Sequence, residues 1–257
     1  MDYKIVFLDI DGTLVNENKE IPESTIHAIR QLKSKGIEPV IATGRAPYFF
    51  AHIAELLDIH SYVSLNGAYV VYKGKVVQKY PIPKEDLELL NRLAGSHGHP
   101  LVFQGEASYF ANTENHPHVL DSIHSLKVEL PGYNPNFWQE ADICQAFLHC
   151  TEADEHRYEQ AFPNLRLVRW HPYAIDVMPV GGSKARGILD LLRALELEPS
   201  QAAAFGDGLN DREMLELVGM GIAMGNAVEG LKPYADYITT SVDEDGIANG
   251  LKAIGLL

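Results

Sequence analysis

The chain has 257 residues, of which 46% are hydrophobic, enough for one large or two modest domains with buried cores. Its formal net charge of -14 argues against nucleic acid as a partner, because phosphates repel an acidic surface and no basic patch offsets this charge. No apolar run is long enough to span a membrane, and the run near the N-terminus is too short for a signal peptide. A cytoplasmic protein without a membrane partner is therefore expected.

The N-terminal part of the chain alternates between strand-like and helix-like patterns. Apolar runs predict buried strands at Tyr3–Ile10, Ile37–Ala42 and Ser61–Leu65. Helices are predicted after Pro22, with a stripe of Ile26, Ile29 and Leu32, and at Pro47–Leu57. This β-α-β-α-β order predicts a parallel sheet with right-handed crossovers.

The pattern changes after this alternation. A hairpin is predicted at 68–80 with Lys73-Gly74 as its turn, and the stretch from Pro83 to Pro179 mixes short strands and helices. The elements predicted in that stretch are strands at Leu101–Phe103, Ser108–Ala111, Ala146–Cys150 and Ala174–Val177 and helices at Lys84–Ala94 and Glu152–Phe162. Strand and helix alternate again after Ser183. The predicted fold is an α/β doubly wound parallel-sheet core (residues 1–82 and 180–257) with an inserted α+β domain (residues 83–179).

Four polar motifs follow predicted strands or open a predicted helix. They are Asp9-Ile10-Asp11-Gly12-Thr13, Ala42-Thr43-Gly44-Arg45, Lys184 after Gly181-Gly182-Ser183, and Gly206-Asp207-Gly208-Leu209-Asn210-Asp211. In an open parallel sheet, ligands bind at the carboxyl ends of the strands. Two carboxylates at i and i+2 can share a hard cation or divide the nucleophile and acid/base roles. Lys184 near a helix start suits an anion, and the glycine-framed acidic loop suits Mg²⁺.

These motifs, in this order, resemble the haloacid dehalogenase superfamily of phosphohydrolases, and the resemblance covers essentially the whole chain. The insert between the second and third motifs resembles the Cof-type subfamily with a C2 (type IIB) cap. Two further stretches, Ser64-Leu65-Asn66-Gly67-Ala68 and Gly221-Ile222-Ala223-Met224-Gly225-Asn226-Ala227, are similar to that subfamily.

The resemblance implies a role for each motif. Asp9 would attack phosphorus and form an aspartyl-phosphate, and Asp11 would act as general acid and then general base. Mg²⁺ would be held by Asp9, the backbone carbonyl of Asp11 and Asp207, with Asp211 anchoring the loop or reaching the metal through water. The implied catalytic residues are Asp9, Asp11, Thr43 and Lys184. The implied phosphate and substrate contacts are Ile10, Thr43, Gly44, Arg45, Asn66, Lys184 and Asn210. Arg45 and Asn66 could instead tie loops together.

The predicted function is a Mg²⁺-dependent phosphatase for small phosphorylated metabolites such as sugar phosphates, acting as a monomer or small homo-oligomer. The alternatives are a phosphosugar mutase or phosphotransferase of the same superfamily, and a non-catalytic metabolite-binding regulator. The presence of both Asp9 and Asp11 favours an enzyme over a regulator. A folded cap would exclude macromolecular substrates.

Several residues of the insert have two interpretations. Arg169, His171 and Asp176 either contact the leaving group or have a structural role. The histidines of the insert are expected to be solvated rather than ligands of a second metal. Cys144 and Cys150 are expected to be buried thiols, with a disulfide as the alternative.

Overall fold

A computed structural model describes residues 2–257. Its strands are β1 (Ile5–Leu8), β2 (Glu38–Ala42), β3 (Tyr62–Ser64), β4 (Tyr69–Tyr72), β5 (Lys75–Lys79), β6 (Leu101–Gln104), β7 (Tyr109–Ala111), β8 (Gly132–Tyr133), β9 (Gln145–Leu148), β10 (Leu165–His171), β11 (Ala174–Pro179), β12 (Ala202–Gly206), β13 (Met220–Ala223) and β14 (Tyr237–Ile238). Its α-helices are α1 (Glu23–Ser34), α2 (Pro47–Leu57), α3 (Lys84–Ser96), α4 (Pro117–Ser125), α5 (Phe137–Glu140), α6 (Glu152–Glu159), α7 (Lys184–Ala194), α8 (Arg212–Leu217) and α9 (Gly246–Ala253).

The chain divides into two compact units. The first comprises Met1–Arg45, Phe50–Gln78 and Ser183–Leu257, and the second comprises Ala46–Phe49 and Lys79–Gly182. The second unit is thus almost entirely an insertion between β5 and α7. Within residues 2–257, no helix combines the length and the apolar character that crossing a lipid bilayer requires.

The first unit is built on an eight-stranded sheet in the order β14-β13-β12-β1-β2-β3-β4-β5. Strands β14 to β3 are parallel, and β4 joins β3 in the antiparallel direction. The chain moves from β1 to β2 on one side of β1 and from β12 to β13 on the other. Right-handed crossovers therefore place α1 and α8 on opposite faces. The predicted doubly wound parallel sheet is confirmed.

The core of the first unit follows from its apolar patterns. Strand β1 is buried along its whole length, as an unbroken apolar run predicts for a central parallel strand. Helix α1 turns Ile26, Ile29 and Leu32 inward, and Gly36 follows the helix in the left-handed region with φ +75°. Helix α2 has the predicted bounds, Pro47–Leu57.

The second unit contains a six-stranded sheet in the order β10-β11-β9-β6-β7-β8, antiparallel except between β7 and β8. Alternating residues of β6 face opposite sides, so Leu101 and Phe103 pack with α3 and α6 while Val102 packs with α4. The predicted α+β character of the insert is confirmed. The apolar patterns did not predict α4, α5, β8 and β10, nor α9 in the first unit. Cys144 and Cys150 are buried free thiols.

Arg169 has a structural role in the second unit. Its guanidinium contacts the Glu155 carboxylate at 2.8 Å and donates to three backbone carbonyls, those of Cys150, His171 and Pro172, at 3.0–3.2 Å. These bonds join β10 to α6 and to the turn before β11. Of the two interpretations of Arg169, the contacts support the structural one.

A buried histidine predicts acid sensitivity of the second unit. Burial lowers the pKa of His149 to about 3, and its ring nitrogens lie 3.3 Å from the Pro100 carbonyl and 3.0 Å from the Ser122 hydroxyl. A histidine whose pKa is lower in the folded than in the unfolded state stabilises the fold above pH ~6.5 and loses that contribution as the pH falls toward the folded value. Between pH 7.5 and pH 5 this group alone is expected to cost about 2 kcal/mol of unfolding free energy.

The measurement is urea denaturation at both pH values, followed by tryptophan fluorescence, since both tryptophans, Trp138 and Trp170, lie in the second unit. His149→Gln should remove this part of the pH dependence. The matched control is His124→Gln, at an exposed histidine of the same unit, which should keep it. An equal loss in wild type and His149→Gln would contradict the assignment to His149.

Candidate active site

The parallel sheet gathers the predicted site residues at one edge. Leu8, Ile41 and Phe205 are paired in register, so the residues after β1, β2 and β12 leave the sheet side by side. Asp9 follows β1, Thr43 follows β2, and Asp207 follows β12. This is the carboxyl edge, where open α/β sheets bind their ligands.

Three carboxylates form a cluster at this edge. One oxygen each from Asp9, Asp207 and Asp211 lies within 4.8 Å of the others. Asp9 and Asp211 are buried and Asp207 is half-buried. Within residues 2–257, no other set of three His, Cys, Asp or Glu side chains brings its ligand atoms this close.

Lys184, the first residue of α7, joins the cluster. Its ammonium donates to Asp9 Oδ1 at 2.5 Å and to Asp211 Oδ1 at 2.6 Å, and its side chain is 1% exposed. Burial alone would lower the pKa of Lys184, but Asp211 and Asp9 outweigh burial and raise it above its ordinary value. Lys184 is therefore a fixed positive charge beside Asp9.

The cluster carries more negative charge than Lys184 can balance. Burial raises the pKa of Asp9 well above its usual range, and Asp211 and Asp207 add to this effect against the opposing Lys184. Burial and Asp211 likewise raise the pKa of Asp207 to about 6. The raised pKa values of Asp9 and Asp207 both indicate that binding of a further cation by the cluster is favoured. Because all the donors are carboxylate oxygens, which hard cations prefer, the residues fit Mg²⁺.

Asp211 also holds the loop that carries Asp207. Its Oδ2 accepts hydrogen bonds from the backbone N–H groups of Asp207 and Gly208, each at 3.0 Å. These bonds fix the backbone of the loop while Oδ1 accepts from Lys184. The anchoring role that the resemblance implied for Asp211 agrees with this geometry.

Asp11 lies apart from the cluster and pairs with cations. Arg45 donates to both of its oxygens at 2.8 and 2.6 Å, and Lys19 donates to Oδ1 at 2.5 Å. Burial would raise the pKa of Asp11, but the bonds from Arg45 and Lys19 lower it. The Asp11 carboxylate is thus not a member of the metal cluster, and only its backbone carbonyl is left as the implied ligand. Sequence reasoning missed Lys19, which no motif contains.

The second motif, after β2, lies in contact with Asn66, after β3. Thr43 is buried, and its hydroxyl accepts a hydrogen bond from the Arg45 N–H at 3.1 Å. The Asn66 N–H donates to the Thr43 carbonyl at 3.2 Å, and a Cβ added to Gly44 would lie 3.0 Å from Asn66 Oδ1. Asn66 therefore ties the two loops together.

Ile10 and Asn210 complete the predicted set. Ile10 is fully buried, so a contact with phosphate could come only from its backbone. Asn210 is exposed in the loop between β12 and α8, next to the cluster residue Asp211. The Thr13 hydroxyl, to which sequence reasoning gave no role, donates to Asp207 Oδ1 at 3.4 Å.

A doubly wound sheet that gathers three carboxylates and a buried lysine at its carboxyl edge defines an α/β protein with a carboxylate-based site. The chain belongs to the haloacid dehalogenase-like hydrolases, whose family model matches residues 6–251. Among its relatives, YkrA of Bacillus subtilis is 45% identical over 257 residues, covering 100% of both chains. The phosphatase YwpJ of Bacillus subtilis is 31% identical, and the match covers 97% of this chain and 99% of YwpJ.

Solved structures agree with this assignment. A crystal structure of a Geobacillus kaustophilus protein superimposes with a TM-score of 0.96 at 47% identity, covering 99% of this chain and 100% of that one. The subclass IIB sugar phosphatase BT4131 superimposes with a TM-score of 0.86 at 32% identity, with the same coverage. The resemblance to a Cof-type phosphatase is confirmed, and the protein is a phosphatase rather than a non-catalytic regulator.

Proposed function

We propose that the protein is a Mg²⁺-dependent phosphatase that hydrolyses phosphomonoesters of small metabolites, sugar phosphates among them, through an aspartyl-phosphate on Asp9. The observation that carries the proposal is the buried contact of Asp9 with Lys184, inside a carboxylate cluster that favours a further cation. Asp9 can act as a nucleophile only if a phosphorus atom lies next to it. The Lys184 ammonium and a bound cation would attract a negatively charged phosphoryl group to this position.

In the first step, an oxygen of Asp9 attacks phosphorus, and the bond between phosphorus and the ester oxygen breaks. Asp11 gives its proton to the departing alkoxide. In the second step, Asp11 takes a proton from a water molecule, whose oxygen attacks phosphorus and releases Asp9 and inorganic phosphate. Asp9, Asp207 and the backbone carbonyl of Asp11 would hold Mg²⁺, which offsets the charge of the phosphoryl oxygens.

The remaining residues of the edge would bind the phosphoryl group. Lys184 is a fixed ammonium beside Asp9, and the hydroxyl of Thr43, the N–H of Gly44 and the amide of Asn210 are donors at the same sheet edge. Donors held in place by a fold stabilise developing charge without reorganising.

Asp11 is held in the form that the second step requires. Its bonds to Arg45 and Lys19 favour the ionised carboxylate, which can accept a proton from water. Proton donation in the first step then requires this pairing to weaken so that Asp11 can take up a proton from solvent. We infer that an anionic substrate weakens the pairing by drawing to itself Arg45, which donates to both oxygens of Asp11. This is the contact implied for Arg45 by the family resemblance.

The relatives and the charge of the chain support the proposed substrate class. BT4131 is described as a sugar phosphatase, and the net charge of -14 disfavours nucleic acids. Small phosphorylated metabolites fit both observations.

The test is phosphate release from a panel of sugar phosphates, nucleotides, pyridoxal phosphate and p-nitrophenyl phosphate, with Mg²⁺ and with a chelator. Turnover should require Mg²⁺, and Asp9→Asn should abolish it because the amide is not a nucleophile. A phosphosugar mutase would instead convert one sugar phosphate isomer to another with little release of phosphate. No hydrolysis of any substrate by folded, Mg²⁺-loaded protein would contradict the proposal.

A further inference from the structure

The turn that follows β13 is bonded to both loops of the active site. Asn226 Nδ2 donates to the Gly12 carbonyl at 2.8 Å, and Asn226 Oδ1 accepts from the Val242 N–H at 2.8 Å. Two residues later, the Val228 N–H donates to the Asp207 carbonyl at 3.0 Å. The turn therefore contacts the loop after β1 and the loop after β12, which carry Asp9 and Asp207.

The two loops are in direct contact where this turn meets them. Gly12 has φ +71°, and a Cβ added to it would lie 2.2 Å from Asp207 Oδ2. The next residue, Thr13, donates its hydroxyl to Asp207 Oδ1. The peptide group that Asn226 holds, between Gly12 and Thr13, thus lies directly against a carboxylate of the metal cluster.

We propose that Asn226 is a positioning residue that sets the separation between the loop after β1 and Asp207, and thereby the affinity of the site for a divalent cation. The inference rests on the proposed function. Neither the motifs nor the family resemblance gave this side chain a role. A residue that orients the ligands of a metal typically affects metal affinity by about 10–100-fold when it is replaced.

The chemistry explains why asparagine stands at this position. One carboxamide supplies a donor for the Gly12 carbonyl and an acceptor for the Val242 N–H. Aspartate keeps the acceptor but has no donor, and it would place a negative charge against a carbonyl oxygen. Asn226 is exposed, so substitutions there change these two bonds without opening a cavity in the core.

The test compares Asn226→Ala and Asn226→Asp with wild type in two measurements. The first is the rise in Tm that Mg²⁺ alone causes in the absence of substrate, and the second is the Mg²⁺ concentration for half-maximal hydrolysis of p-nitrophenyl phosphate. Both variants should need at least about tenfold more Mg²⁺ in each measurement. Their kcat at saturating Mg²⁺ should stay close to that of wild type.

The matched control is Asn249→Ala. Asn249 Nδ2 donates to Thr240 Oγ1 and to the Glu244 carbonyl, each at 3.0 Å, so this variant also loses two bonds near Val242 but none to the active-site loops. Asn249→Ala should leave the Mg²⁺ response unchanged. The inference is overturned if the Asn226 variants lower the Tm but respond to Mg²⁺ as wild type does. A wild-type protein that shows no response to Mg²⁺ would overturn the proposed metal dependence as well, which separates the two failures.

Discussion

Replacing Lys184 with methionine is expected to lower the free energy of unfolding by about 3–5 kcal/mol in the absence of metal and to reduce kcat by at least about 10²–10³-fold. Methionine is similar in length but carries no charge. The variant therefore leaves Asp9 and Asp211 buried beside each other without the ammonium that contacts both at 2.5 and 2.6 Å.

The stability defect should depend on pH and on Mg²⁺ in a defined direction. The folded-state pKa values of Asp9 and Asp207 are already raised, that of Asp207 to about 6, and removing Lys184 raises them further. An acid whose pKa is higher in the folded than in the unfolded state destabilises the fold increasingly as the pH rises through that range. The defect should therefore be largest above pH ~7 in chelator and shrink toward pH 5 or on adding Mg²⁺.

The measurement is urea denaturation followed by far-UV circular dichroism, because both tryptophans lie in the second unit and Lys184 lies in the first. Lys184→Arg is the control that keeps the positive charge, and it should retain more stability than Lys184→Met. A Lys184→Met variant as stable as wild type at pH 7.5 in chelator would show that the ion pairs do not stabilise the fold.

The sequence predicted the parts of the fold that local patterns determine. Helix α2 has the predicted bounds because Pro47 opens it and the apolar residues Phe50, Ile53 and Leu57 follow at helical spacing. Strand β1 was predicted because a central parallel strand needs an apolar run. The location of Asp9, Thr43 and Asp207 at one edge follows from parallel pairing alone, since each comes directly after a strand.

Elements that depend on tertiary contacts could not be predicted. Strand β10 is an edge strand with mostly half-buried residues, so its sequence has no apolar run. Helix α9 contains Gly246 and Gly250, which local propensity counts against a helix. A Cβ on Gly250 would lie 2.5 Å from the Phe205 ring, so the glycine is required for packing against β12. Within the site, the contact of Asn226 with Gly12 joins loops that are distant in the chain, and the contact of Lys19 with Asp11 depends on the conformation of the loop between β1 and α1. Neither contact leaves a pattern in the sequence.

Gly67→Ala is expected to cost more than about 4 kcal/mol of unfolding free energy and most of the activity, although alanine adds only one methyl group. Gly67 has φ +91°, a region that is unfavourable for alanine, and its Cβ would lie 2.0 Å from the Ser183 carbonyl oxygen. That carbonyl accepts the hydrogen bond from the Gly187 N–H in the first turn of α7. The start of the helix would have to move, and Lys184 with it.

A second glycine separates the two causes of this loss, the positive φ and the steric clash of the added Cβ. Gly36 also has a positive φ, +75°, but a Cβ there would meet no atom within 4 Å. Gly36→Ala should therefore lower the free energy of unfolding by only about 1–2 kcal/mol, which is the cost of placing alanine in the left-handed conformation, and should leave kcat unchanged. Circular dichroism denaturation and p-nitrophenyl phosphate turnover measure both variants. The contrary result is a Gly67→Ala variant that loses no more stability than Gly36→Ala and keeps its kcat. That result would show that the 65–67 loop does not position Lys184. The contact between this loop and α7 would then relax without displacing the Lys184 ammonium from Asp9.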